Sequence, residues 1–282
     1  MANLVAAPYG FRPVRLLSGR PAGGALNIEQ FPIKNGYTGV IPYGSPVVLS
    51  PPANVGTVTT VSGTGTVATL TFSGAHGITV GEVITITGVT PTAFNGAYYV
   101  ATVPSTTTLT YTYAGGAYVS GTATVNTNGG YLVLPTNSTF NTASDNYIGI
   151  FVGSQYTNSQ NGQPQWDQWY PGSVTTTDNS LTGFVVTDPD AVFQVQANYP
   201  QFDALGHIGY SYQMTIPGTP YTTGTKDSTI SLDAGVGSDG TATTNPWKVV
   251  GISTDSNNQN AVGYVDVLVK INSGFHIFTR AN

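Results

Sequence analysis

Between Val55 and Val125 one side chain is charged at neutral pH, Glu82, and threonine, glycine, valine and tyrosine make up most of the rest. The apolar residues of this stretch recur with a period of two. Ala68, Leu70 and Phe72 fall on one side of an extended segment, with Thr69 and Thr71 on the other. Ile84 and Ile86 oppose Thr85 and Thr87 in the same way, and Leu109, Tyr111 and Tyr113 oppose Thr108, Thr110 and Thr112. A helix brings together residues three and four apart, so this spacing selects half-buried β-strands. Turn chemistry separates them at Gly74 to Gly77, Asn95-Gly96, Pro104-Ser105 and Gly115-Gly116. The stretch reads as a small, complete β-sandwich-like module.

Its flanks indicate insertion into something else. Pro51-Pro52-Ala53-Asn54 leads in and Asn126-Thr127-Asn128-Gly129-Gly130 leads out, and both have the stiff or flexible composition of domain linkers. Val47-Val48-Leu49 before the module and Tyr131-Leu132-Val133-Leu134 after it have matching apolar content. We expect these two segments to lie side by side in a base domain formed by residues 1–53 and 128–282, with residues 54–127 projecting from it.

The base also reads as mainly β, a barrel or sandwich of short strands. Strand-like runs are Phe11 to Leu17, Leu26 to Ile33, Gly44 to Leu49, Tyr147 to Val152, Phe184 to Val186, Val192 to Gln196, His207 to Met214, Trp247 to Ile252 and Tyr264 to Ile271. A turn follows the first at Ser18-Gly19. Ser180 to Asp190 and Asn198 to Leu205 are the places where a short turn of helix fits. Pro8 and Gly10 oppose helix, so Met1 to Gly10 reads as an extended arm.

Charge is scarce: 7% of 282 residues, against about a quarter in typical soluble domains. Seventeen Tyr, 11 Phe and 3 Trp nevertheless supply the burial that disordered chains lack, so the chain should fold. A surface of neutral polar groups suits a protein held in a large assembly or exposed outside a cell. The net charge of −5 argues against a nucleic-acid partner. The absence of Cys excludes disulfides and thiolate metal sites and is compatible with assembly in a reducing cytosol. No signal peptide is expected at Met1 to Pro8, and no apolar run is long enough for a membrane helix. All 8 Lys and Arg lie before Asn35 or after Thr225. Solvated termini explain this more simply than a basic face for an acidic partner.

Catalytic chemistry finds little support. His76, His207 and His276 are not spaced with one another or with carboxylates as metal ligands are, and structural roles are expected for all three. Asp188-Pro189-Asp190 is a close pair of acids, but the intervening Pro and the strand that follows favour an Asx-type turn. No Ser occupies a Gly-x-Ser-x-Gly elbow, and the glycines fall at turns instead of in a phosphate-binding loop. We expect no enzyme, no cofactor and no metal. Trp166, Trp169 and Tyr170 form an aromatic knot in a polar segment. They fit a plug at the end of a core, an interface anchor or a surface for stacking on glycans, in that order.

Ala7-Pro8-Tyr9-Gly10-Phe11-Arg12-Pro13-Val14-Arg15, followed by Ser18-Gly19, resembles the N-terminus of head decoration (cement) proteins of tailed bacteriophages. The resemblance continues through Gly44 to Leu49, Asp188 to Gln196 and Gly263 to Val269. It covers the base and not the insert. Within the insert, Ala75 to Gly88 and Phe94 to Val100 look like a small β-module common in phage tail and virion proteins.

The resemblance implies a structural protein on the outer capsid surface that stabilises the expanded shell. Its partners would be the major capsid protein and further copies of itself, most simply as a homotrimer, assembled in the host cytoplasm. Tyr9, Phe11, Arg12 and Arg15 are then the candidate partner contacts, and Met1 to Val14 an arm that reaches a neighbour. Contact between the insert and a host surface is a further expectation. A tail or fibre component and a glycan-binding adhesin are the alternatives.

Overall fold

The computed structural model describes residues 6–17, 27–135, 147–176, 180–198, 206–215, 221–222, 224–233, 245–253 and 264–279. The fold is all-β. Three strands come first: β1 (Arg12–Leu16), β2 (Ile28–Pro32) and β3 (Pro46–Leu49). The threonine-rich stretch follows with β4 (Ala53–Thr64), β5 (Val67–Phe72), β6 (Val83–Thr87), β7 (Gly96–Ser105), β8 (Thr108–Thr112), β9 (Ala117–Ser120) and β10 (Thr124–Thr127). The remainder carries β11 (Leu132–Val133), β12 (Tyr147–Thr157), β13 (Pro164–Asp167), β14 (Thr182–Val186) and β15 (Ala191–Gln196). It ends with β16 (Ser211–Thr215), β17 (Ser231–Asp233), β18 (Trp247–Ile252) and β19 (Asp266–Ile271). Two compact units result, one of residues 1–49 with 131–282, the other of Ser50–Gly130.

In the second unit, antiparallel pairings run β10-β6-β7-β8-β5-β4, and β10 pairs again with β4, which closes a six-stranded barrel. Two long strands make the closure. β4 pairs with β10 through Ala53 to Thr57 and with β5 beyond Val58; β7 pairs with β6 up to Tyr99 and with β8 from Val100. Each bends where it changes neighbour, at register shifts that act as corners. Gly56 occupies the β4–β10 bulge at φ +114°, a conformation side chains rarely adopt.

The period-two pattern decides which side chains fill this barrel. Ala68, Leu70, Ile84, Ile86, Leu109, Tyr111 and Val125 are fully buried in one cluster with Val58 and Val61. Threonines take the wet side, where Thr102 and Thr110 hydroxyls meet across strands at 2.7 Å. Glu82 is buried, and its Oε2 accepts the Thr79 amide at 3.1 Å, closing the turn before β6. Between β6 and β7 a turn of 3-10 helix at Thr92–Phe94 sets Phe94 on Tyr113, ring centroids 4.5 Å apart. Asn95 locks that connection by bonding both the amide (2.9 Å) and the carbonyl (2.8 Å) of Val89. The β7–β8 turn falls at Thr106-Thr107, two residues after the expected Pro104-Ser105, because Ser105 pairs with Thr108 and belongs to the ladder.

Among the described residues the first unit holds two sheets. One runs β1-β15-β19-β18-β16-β17. Its two ends are tied by the Gly10 amide to the Ile230 carbonyl (3.2 Å), and β17 also meets the end of β15 through an Ala197–Leu232 bridge. The other runs β11-β3-β12-β14-β2, with β13 on the far half of β12. β3 and β11 are neighbours, as expected for the two sides of an insertion, with Leu132 opposite Leu49. At the root of the insertion the Gly130 amide donates to the Ser50 carbonyl at 2.8 Å. Ala53, Asn54, Asn126 and Thr127 are strand residues, so only Ser50 to Pro52 and Asn128 to Gly130 act as connectors.

The first half of β12 is buried on both faces. Tyr147 and Ile150 join the cluster of Phe193, Val195, Trp247, Val267 and Val269; Ile148 and Phe151 join Val47, Tyr170, Leu181 and Val185. Gly149 permits this, since it sits at a bulge with φ +149° and any Cβ there would strike the Val186 carbonyl. Residues 182–186 form strand β14 and not the helical turn expected between Ser180 and Asp190; Gly183 there lies against Leu132 and Phe151, where no side chain fits. The Ser18-Gly19 turn, Leu26 and residues 199–205 of the other expected helical turn lie outside the described residues.

Candidate functional site

The N-terminal segment is built into its own unit. Met1 to Val5 lie outside the described residues. The Ala7 amide donates to Gln196 Oε1 (2.7 Å), Phe11 N donates to Gly44 O (2.9 Å), and Arg12 to Leu16 pair with β15. Phe11 is fully buried and stacks on Trp247, so the expectation that it contacts a partner is overturned: a ring in the core cannot be offered to another chain. Nor is Phe11 to Val14 a free arm.

Tyr9 is half-buried beside Asp266, and burial, then that carboxylate's charge, pushes its hydroxyl pKa well above the ordinary value. Arg12 pairs with Asp227 at 2.8 Å and lies 4.6 Å from the Tyr43 ring centroid. Arg15 is half-buried and bonds the Leu16 carbonyl at 3.3 Å. The exposed large apolar side chains of this stretch are Val14 and Leu17.

The aromatic knot divides. Tyr170 is fully buried: its hydroxyl donates to the Tyr37 carbonyl (2.7 Å), and burial raises its pKa. It plugs a core, and is lost as an interface or glycan aromatic. Trp169 is half-buried, with its carbonyl accepting from Ser154 Oγ (2.8 Å). Trp166 is 56% exposed. Alternation along β13 exposes Trp166, because Gln165 and Asp167 point inward and Pro164 and Trp166 outward, while Tyr170, beyond the strand, is drawn in by its bridge to Ile41.

Register places Trp166 in company that its sequence neighbours do not reveal. It lies opposite Gln155 on β12, which lies opposite Thr182 on β14, opposite Pro32 on β2. The next row is Gly153, Phe184 and Gln30. Partners directly opposite share a face, so these residues form one sheet face. No charged side chain stands in these rows; Glu29 and Asp167 alternate to the other side. The indole lies over Gly153, where a Cβ would come within 3.1 Å of its Cζ2. Gly153 inside a long strand is the sequence signal that marks such a close approach.

His76, His276 and the acid pair hold backbone in place, and His207 joins another side chain. His76 Nδ1 accepts the Ile78 amide at 3.0 Å. His207 and Tyr212 are hydrogen-bonded through Nδ1 and Oη. His276 is buried, accepts the Phe278 amide at Nδ1 (3.3 Å) and has its pKa lowered by burial. Asp188 Oδ1 accepts the Asp190 amide at 2.9 Å, an Asx turn before β15, while Asp190 meets Lys270 at 3.5 Å. Among the described residues no group of three or more His, Cys, Asp or Glu is placed to hold a metal ion. Neither a family model, nor a curated protein, nor a solved structure matches this chain.

Proposed function

We propose that the chain is a structural virion protein, a decoration (cement) protein carried on the outer surface of a tailed-bacteriophage capsid. What supports the reading is the meeting of four segments, scattered from Ala7 to Val269, that resemble such proteins. Phe11 bonds the backbone of Gly44; Arg12 and Pro13 pair with Gln194 and Phe193; Phe193 pairs with Val269. Residues that resemble one family at scattered positions thus form one contiguous unit, which is what inheritance of a common base fold requires.

A clamp of this kind stabilises a shell by binding its expanded lattice better than its compact one. Symmetric association, as a trimer at capsomer junctions, buries part of a surface that carries little charge to repel copies. The outer side of β1, with Val14 36% and Leu17 44% exposed near Arg15, is the contact we assign to the major capsid protein. Labelling with an antibody or gold on intact virions tests the assignment: label is expected over the head, and label confined to the tail would overturn it in favour of a tail component.

A further inference from the structure

The face of Trp166 has features of a site and not only of a surface. We propose that it binds neutral oligosaccharides, with Trp166 as the stacking platform and Gln155, Gln30 and Thr182 as hydrogen-bonding partners. The indole already has a support on the strand beneath it: a Cβ at Gly153 would come within 2.9 Å of the Asp167 carbonyl oxygen and 3.1 Å of the indole Cζ2, so the glycine leaves room for the ring. A ring fixed before binding loses little entropy on contact.

The rows around it carry amide and hydroxyl groups and no charge. That composition matches a pyranose, whose C–H face is apolar and whose rim carries hydroxyls that both donate and accept. It matches poorly to an anionic sugar or a phosphate, which call for Lys or Arg. It also matches poorly to a membrane surface, for the same reason. From Trp166 to Pro32 the row crosses four strands, roughly 14 Å at the usual strand spacing. This length suits a chain of sugars better than a single ring. The inference is independent of the capsid assignment and stands for a head, tail or fibre protein alike.

Of the three tryptophans Trp247 is fully buried, Trp169 half-buried and Trp166 exposed, so the part of the fluorescence that a bound ligand can change comes largely from Trp166. The test is a fluorescence titration of the full chain with soluble cello-, malto- and chito-oligosaccharides. Saturable quenching by at least one series is expected, weakened roughly tenfold or more in Trp166→Ala. Gly153→Ala, whose Cβ crowds both the Asp167 carbonyl and the indole while leaving the ring present, should weaken the same binding. Thermal unfolding of Trp166→Ala should match the parent, since an exposed ring is removed. Absence of saturable quenching with every series overturns the proposal, and so does binding that Trp166→Ala leaves intact. Self-association lost in Trp166→Ala, without sugar binding, also overturns it and makes the face a contact between copies.

Discussion

Phe11 and Trp247 stack with ring centroids 4.1 Å apart and planes 29° from parallel, joining the N-terminal segment to a strand that begins 236 residues later. Phe193 meets the same indole edge-on at 6.4 Å. Removing the Phe11 ring leaves a cavity among Trp247, Phe193 and Tyr147. Phe11→Ala is therefore expected to cost about 3–5 kcal/mol in a urea unfolding experiment. Arg12→Ala, which removes an ion pair between partly exposed side chains, should cost about 1 kcal/mol or less. The reverse ranking would mean that the segment is held by its charges. Deleting residues 1–14 removes Phe11 and most of β1, so that truncation is expected to unfold the base and not merely to free a capsid contact.

The Ser50–Gly130 unit buries its own core, and the chain's ends there meet at one hydrogen bond. Excised, it should fold cooperatively, read by far-UV circular dichroism. All three tryptophans lie outside it, so fluorescence follows the base alone. Gly149→Ala puts a Cβ into the Val186 carbonyl at a φ unfavourable to side chains, with strain of at least about 1–3 kcal/mol. In the full chain the fluorescence transition should shift to lower urea, while a far-UV transition at the midpoint of the excised unit stays where it is. A single coincident transition in every variant would show that the two units do not unfold independently.

Much of this was legible. In the module each strand has one dry and one wet face, so Leu70 against Thr71, or Ile86 against Thr87, declares its side. The base is harder to read. The first half of β12 is buried on both faces and shows a continuous apolar run, and β14 contains Gly183 and a Phe-Val-Val run whose alternation is broken. Phe11 sits among Gly and Pro, and nothing local says that its ring enters a core completed by Trp247. The Trp166 face depends on the register of four strands, and its one sequence trace is Gly153.

Stability should fall on the acid side through His276. Burial holds its pKa below the ordinary value, so the unfolded chain takes up the proton first. This contribution is fully present above the unfolded pKa, about 6.5, and is lost as pH falls through it toward the folded value. His276→Gln should flatten the decline in melting temperature between about pH 7 and about pH 5. An unchanged slope would assign that decline to carboxylates.

Alkali acts through tyrosine. Burial raises Tyr9, Tyr111 and Tyr170, and pushes Tyr156, next to Asp167, up to about 12. The folded state keeps protons that the unfolded chain sheds, so stability declines as pH rises past about 10. A spectrophotometric titration should show a late-ionising group of tyrosines that joins the main wave once the protein is unfolded in urea. One uniform wave in the folded protein would contradict the burial of these rings.

Val14 and Leu17 are the exposed apolar residues beside Arg15. The double variant Val14→Glu, Leu17→Glu should weaken capsid binding roughly tenfold or more while leaving the unfolding midpoint within about 0.5 kcal/mol of the parent. Unweakened binding would move the capsid contact elsewhere on the base.

The most direct measurement is co-sedimentation with expanded heads that lack the protein, using the full chain and a version in which a short glycine linker replaces residues 51–129. Ser50 O and Gly130 N lie 2.8 Å apart, so the base should close over the deletion. Both proteins are expected to pellet with the heads, saturate at the same number of copies and raise the temperature at which the heads rupture. Failure of both to bind, or binding confined to the excised Ser50–Gly130 unit, would contradict the assignment of capsid binding to the base.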